Sequence, residues 1–152
     1  MKGWKITMDT IKIVRIAKDL PLPKKQTVGS AGFDLHANVD EPIVIMPGET
    51  KLTGTGIKIE LPLNYELQVR PRSGLALKNQ ITVLNSPGTV DCGYTGEIGV
   101  ILINHGSKGL IVNRGDRIAQ AVICKLPDIN IVEVEELSET ERGDGAYGST
   151  GV

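Results

Sequence analysis

Short runs in which apolar and polar residues alternate, each closed by glycine, proline or asparagine, recur along the chain from Ile11 to Val134. Period-two alternation puts one set of side chains on one face of a strand and the other set on the opposite face. Strands are therefore expected at 11–16, 43–45, 57–61, 65–70, 81–84, 98–103, 110–112, 118–126 and 129–134. Turn signals separate them at Pro47-Gly48, Pro62-Leu63-Asn64, Asn104-His105-Gly106 and Asn113-Arg114-Gly115-Asp116. Short strands at regular spacing predict a β-barrel or sandwich. The segment from Pro71 to Lys78 is the one place suited to a helix, about two turns at most at 3.6 residues per turn, with Ser73 expected as its N-cap.

Composition agrees with the pattern. Isoleucine, valine and threonine number 17, 13 and 11, so 41 of 152 residues are β-branched, which favours a pleated surface. Aromatic residues make up only 3%, so the core must be aliphatic. A chain of this length suits a single domain with a self-sufficient core. Residues 1–10 read as an N-terminal extension, 11–136 as an all-β domain and 137–152 as a glycine-rich C-terminal arm. With 17 basic and 18 acidic residues no long-range field would recruit nucleic acid or an anionic membrane. No apolar run is long enough for a membrane helix, and Met1 to Lys5 lacks a signal core. Cys92 and Cys124 lie far apart without a paired motif, so they read as reduced structural thiols and the protein as cytoplasmic.

The candidate chemistry lies where the chain is rich in glycine. Asn85 to Glu97 reads as a hairpin that holds a ligand, with turns at Pro87-Gly88 and from Gly93 to Gly96, and with Asp91 and Tyr94 three positions apart. Between Phe33 and Leu35, Asp34 projects from the polar face of its strand, where it is either a site acid or a turn cap. His36, on the same side, reads as a sheet histidine. At the helix start, Arg72, Ser73 and Gly74 bring a guanidinium and backbone N–H groups to a point where an anion can sit. Gln120 is the polar residue in an otherwise apolar half-strand, so it is a sheet-satisfying amide or a ligand contact. In the arm, Gly143, Gly145 and Gly148 match a dinucleotide fingerprint without a flanking strand and helix, so a Rossmann reading fails. What remains is Arg142, Tyr147, Ser149 and Thr150 in a sequence that suits either a disordered tail or a flap over a phosphorylated ligand.

Five segments resemble, in order and spacing, the five motifs of the trimeric dUTP pyrophosphatases, or dUTPases. They are Ala31-Gly-Phe-Asp-Leu35, Pro71-Arg-Ser-Gly-Leu-Ala76, Gly88-Thr-Val-Asp-Cys-Gly-Tyr-Thr-Gly-Glu97, Gly115-Asp-Arg-Ile-Ala-Gln120 and Arg142-Gly-Asp-Gly-Ala-Tyr-Gly-Ser-Thr-Gly151. The resemblance spans residues 31–151. It implies a jelly-roll-type β-barrel assembled as a homotrimer, three sites each built from all three chains, Mg²⁺, and hydrolysis of dUTP to dUMP and pyrophosphate. It further implies that Asp91 activates the attacking water and that Tyr94 lies beneath the deoxyribose. Asn85, Gly88, Thr89, Val90 and Ile98 would form the uracil pocket, with Glu97 beside them.

By the same resemblance Arg72, Ser73, Gly74 and Gln120 would meet the phosphates, and Asp34 would hold a water on the metal, which the triphosphate mainly binds. From the arm, Arg142 would reach the phosphates, Tyr147 would stack on uracil followed by Gly148, and Ser149 and Thr150 would contact the γ-phosphate. Ala146 and Tyr147 depart from the commonest form of that motif, which has Gly and Phe. The alternatives are a dCTP deaminase-like enzyme of the same fold, against which the Pro71 to Gly74 segment speaks, and a nucleotide-gated regulatory binding protein, for which no docking insert is present.

Overall fold

The structure, a computed structural model, describes residues 9–146. Four strands form the first sheet: β1 (Lys12–Arg15), β4 (Thr50–Glu60), β8 (Glu97–Asn104) and β6 (Ile81–Val83), in the order β1-β4-β8-β6. A second sheet holds β2 (Gly32–His36), β10 (Arg117–Lys125), β5 (Tyr65–Arg70) and β7 (Gly88–Asp91), in the order β2-β10-β5-β7. A ribbon of β3 (Ile43–Ile45) and β9 (Leu110–Val112) completes the strands, and α1 (Ser73–Asn79) is the helix among the described residues. Every pairing is antiparallel.

The two larger sheets bury their apolar faces in one cluster. Ile57, Ile59, Ile98, Val100 and Leu102 come from the first sheet and Leu35, Leu67, Val69, Ala119 and Ala121 from the second. The expected aliphatic core is present, with Phe33 and Tyr65 packed only at its margin. The all-β expectation and the jelly-roll type hold. The strands are shared between two sheets and a ribbon, however, and do not close into one continuous barrel.

Two polar residues in this core have opposite fates. Asn104, expected as a turn residue, is fully buried at the end of β8. Its Nδ2 donates to the carbonyls of Ile45 and Lys108, each at 2.8 Å, and its Oδ1 accepts the Gly106 N–H at 2.8 Å. The amide therefore ties the ribbon to the first sheet. Thr53, 1% exposed and opposite Val100, has a hydroxyl with no partner among the described residues. Valine has nearly the same shape and removes the orphaned group, so Thr53→Val is expected to raise stability by about 1 kcal/mol. Urea denaturation checks this; a lowered midpoint would show that the hydroxyl is satisfied in solution.

Besides the early start of β4 at Thr50, where a strand is expected only over 57–61, the chain departs from its expected pattern in three places. Residues 129–134 form no strand, and from Lys125 to Asp144 every residue is exposed. Alternation makes a segment ready for a sheet, but among the described residues no strand pairs with it. Arg72, with extended backbone, takes the N-cap position, and Ser73 begins the helix without a side-chain capping bond. The third departure, between Asn85 and Glu97, shapes the site.

Candidate functional site

Directly opposite residues of antiparallel strands project to the same face. Asp34 on β2 lies opposite Gln120 on β10, and Gln120 lies opposite Arg70 on β5. Further along β5, Gln68 faces Thr89 and Glu66 faces Asp91 on β7. Asp34, Gln120, Arg70, Gln68, Glu66, Thr89 and Asp91 therefore share the outer, polar face of the second sheet, whose inner face belongs to the core. Two of the expected site acids, Asp34 and Asp91, stand at opposite corners of that face.

At the first corner the Asp34 carboxylate is mostly buried between two cations. Its Oδ1 accepts from Arg72 Nε at 3.0 Å, and its Oδ2 accepts from Arg117 Nη1 at 3.3 Å and Gln26 Nε2 at 3.1 Å. Arg72 also donates to the Arg117 carbonyl at 3.1 Å, so its guanidinium is fixed from two sides. Gln120 Nε2 donates to the Pro71 carbonyl at 3.0 Å, which sets the strand end from which Arg72 departs. Ser73 and Gly74 are exposed beside them, and with Gln26, Asp34, Arg72, Arg117 and Gln120 they line one cavity of about 230 Å³. Two guanidinium groups around one carboxylate leave a net positive charge, suited to a polyanion. Burial pushes the nearby His36 imidazole below its usual range; Asp34 opposes that shift and Arg117 and Arg72 reinforce it.

The second corner corrects the hairpin expected at 85–97. β7 pairs with β5 and β8 pairs with β4 and β6, so the two strands belong to different sheets. The reason lies in β8, whose two edges are taken by β4 and by β6, the latter prolonged by the Leu84 N–H to Ile101 carbonyl bond at 2.8 Å. The β7 strand is the edge of its own sheet. Where β6 ends and Asn85 turns away, a cavity of about 320 Å³ separates the β7 edge from the start of β8.

Asn85, Gly88, Thr89, Val90, Asp91, Tyr94, Glu97 and Ile98 all line this cavity, and Leu52 and Ile101 extend its wall. Ile98 is a buried floor residue, whereas Asp91 is exposed at the rim. An unpaired strand edge offers main-chain N–H and C=O groups to whatever enters. Tyr94 is 47% exposed, with its N–H on the Asp91 carbonyl at 3.0 Å and its hydroxyl on the Glu97 carbonyl at 2.9 Å.

The pattern that defines the dUTPase family matches residues 18–151. The chain belongs to the dUTPase family. It is 58% identical over 142 residues to the deoxyuridine 5'-triphosphate nucleotidohydrolase of Caldanaerobacter subterraneus subsp. tengcongensis, covering 93% of this chain and 96% of the relative. The enzyme of the same name from Caulobacter vibrioides is 57% identical over 136 residues, 88% of each chain. Among solved structures, a Staphylococcus bacteriophage 80alpha dUTPase mutant with dUpNHpp superposes with a TM-score of 0.86 at 24% identity, over 95% of this chain and all of the other. A dUTPase from phage phi11 of S. aureus, described with a structural Mg(II) ion, gives 0.77 at 21% identity over 86% of this chain and all of the other.

Within this dUTPase fold the expected site residues fall into the two clusters, with exceptions in the arm. Arg142 is exposed, its Nε closing a local turn on the Gly145 carbonyl at 3.0 Å, and it lines neither cavity. Tyr147, Gly148, Ser149 and Thr150 lie outside the described residues. Sequence reasoning overlooked Arg117 and Gln26, which complete the grip on Asp34. Arg117 stood inside the fourth motif and follows Asp116 directly, a signal that a count of convergent cations would have caught.

The residues present bear on the metal question. Among the described residues no group of three or more His, Cys, Asp and Glu side chains is arranged to hold an ion. Asp34 alone, between two guanidinium groups, cannot cage a bare cation. It does fit Mg²⁺ arriving with a triphosphate, since that ion keeps several waters and is held by one or two carboxylates together with substrate phosphates. No helix among the described residues is long and apolar enough to cross a membrane.

Proposed function

We propose that the protein hydrolyses dUTP to dUMP and pyrophosphate by attack of water on the α-phosphate, which keeps uracil out of DNA and supplies dUMP for dTMP synthesis. The observation that carries this reading is the cavity at an unpaired strand edge with Asp91 and Tyr94 at its mouth. Uracil has alternating acceptors and a donor, which main-chain groups at such an edge can pair as a base would. Cytosine would leave buried groups unpaired, at about 1–3 kcal/mol each. Thymine adds a methyl group for which a closed edge has no space, and a ring beneath the sugar excludes a 2′-hydroxyl.

Asp91 would orient and deprotonate the water, while Arg72, Arg117, Ser73, Gly74 and Gln120 would position the phosphates. Mg²⁺, bound with the triphosphate and through water to Asp34, would neutralise charge on the phosphate oxygens. Arg142, Tyr147, Gly148, Ser149 and Thr150 would close over the nucleotide from the arm.

The active assembly would be a homotrimer. The two clusters of one chain are separated by three strand spacings and about four residues along β5, which at ~4.8 Å and ~3.3 Å each gives roughly 20 Å. That separation exceeds the reach of one nucleoside triphosphate from sugar to terminal phosphate. One copy's base cavity would therefore meet another copy's phosphate cluster. The exposed Ile129, Ile131 and Leu137 after β10, 76%, 90% and 88% exposed, suit a segment that docks on a neighbouring copy. No nucleic acid or membrane surface is required, and the compartment suited to this substrate is the cytoplasm.

The test is a panel of nucleoside triphosphates assayed for pyrophosphate with Mg²⁺. Turnover of dUTP is expected, with dTTP, dCTP and UTP at background. Equal turnover of dCTP would refute this specificity, and ammonia release from dCTP would favour the deaminase reading.

A further inference from the structure

Tyr94 and Glu97, both in the cavity lining, each fill the space beside a glycine, Gly96 and Gly54 respectively. A Cβ on Gly96 would stand 2.6 Å from Tyr94 Cζ, so the phenol end of the ring packs against that residue. A Cβ on Gly54 would stand 2.6 Å from Glu97 Oε1, in the space the carboxylate occupies. Gly56, at φ +69°, belongs to the register shift of β4 between Gly54 and Lys58 and aims its N–H at Glu97 Oε1 at 2.7 Å. Asn38 Nδ2 donates to the same oxygen at 3.1 Å, and Asn38 Oδ1 is held by Arg114 Nη1 at 2.8 Å. Arg114 is anchored in turn by both oxygens of Asp19, at 2.6 and 2.9 Å, a pairing that lowers the Asp19 carboxyl to about 2.

The chain of contacts ends on the aromatic ring. Tyr94 has one hydroxyl, and it donates to the Glu97 carbonyl. The Glu97 carboxylate bonds into the fold, accepting from the Gly56 N–H and Asn38 Nδ2 through one oxygen. We propose that Glu97 is a positioning residue: clamped by Gly56 and Asn38, it fixes the acceptor that sets where the Tyr94 ring stands, and with it the discrimination between deoxyribo- and ribonucleotides. This rests on the dUTPase reading above and deepens it, because Glu97 then acts on specificity through Tyr94 and needs no contact with the nucleotide. An untethered ring would swing on its χ angles and open space for a 2′-hydroxyl.

The experiment compares kcat/KM for dUTP and UTP in the unsubstituted protein and in Glu97→Ala, Asn38→Ala, Glu97→Gln and Tyr94→Phe. Loss of one hydrogen bond's net contribution corresponds to about a 5- to 10-fold change. The dUTP-to-UTP ratio is expected to fall by that factor in Glu97→Ala, Asn38→Ala and Tyr94→Phe. Glu97→Gln should keep the ratio, because an amide oxygen still accepts from Gly56 and Asn38. A merely structural role would lower the melting temperature and the two rates together, leaving the ratio unchanged. If Glu97→Ala fails to fold, Asn38→Ala and Tyr94→Phe decide. Full dUTP turnover with an unchanged ratio in those two overturns the inference alone; absence of dUTP turnover in the unsubstituted protein overturns the functional reading and the inference with it.

Discussion

Replacing Asp91 with asparagine is expected to lower pyrophosphate release from dUTP by roughly 10²- to 10⁴-fold, the usual contribution of a positioned general base. Stability should not fall with it. The residue is exposed at the end of β7, and the contact it makes with Tyr94 runs through its main-chain carbonyl, which the substitution keeps. Its side chain also lies directly across from Glu66, so two carboxylates share one cross-strand pair. Like charges in that position are destabilising. The fold therefore gains nothing from an acid at Asp91, and an amide there should leave the melting temperature equal or slightly higher. Activity and thermal melts on one preparation check both halves; a parallel loss of stability would place Asp91 in the fold and remove it from the chemistry.

That contrast shows which features a sequence can reveal. Alternation located most of the strands because it reports a face: Asp34 was expected on the polar face of its strand and stands there, and the register puts Gln120 and Asp91 on the same face. Alternation does not report a partner. Strands β7 and β8 are joined by five residues with two glycines, which looks like a hairpin loop. They fail to pair because the edges of β8 are claimed by residues far away in sequence, from β4 and β6. The cavity exists because of that failure, so its presence was not legible from the segment itself. Gln26, Arg117 and Asn38 were overlooked for a related reason. Each acts by holding another side chain across 8, 83 or 59 positions, and no local spacing records such a bond. The segment 129–134 shows the converse, a strand pattern that no described strand of the chain pairs with.

Mixing two inactive variants is expected to restore activity. Asp91→Asn leaves the phosphate cluster intact, and Arg72→Ala leaves the base cavity intact, since Arg72 lines only the cavities on the Asp34 side of the sheet. If each site takes its Asp91 from one copy and its Arg72 from another, co-refolded chains in equal amounts will re-pair at random. Roughly one site in four will then hold both intact halves, so about a quarter of the unsubstituted rate should return from two preparations near background. Mixing without subunit exchange should stay at background, which separates complementation from contamination. A site complete within one chain predicts no recovery under any mixing protocol. The expectation rests on the geometry of the second sheet, whose polar face places Asp91 and the cations around Asp34 roughly 20 Å apart, so that under the proposed function opposite corners of two copies would share one nucleotide.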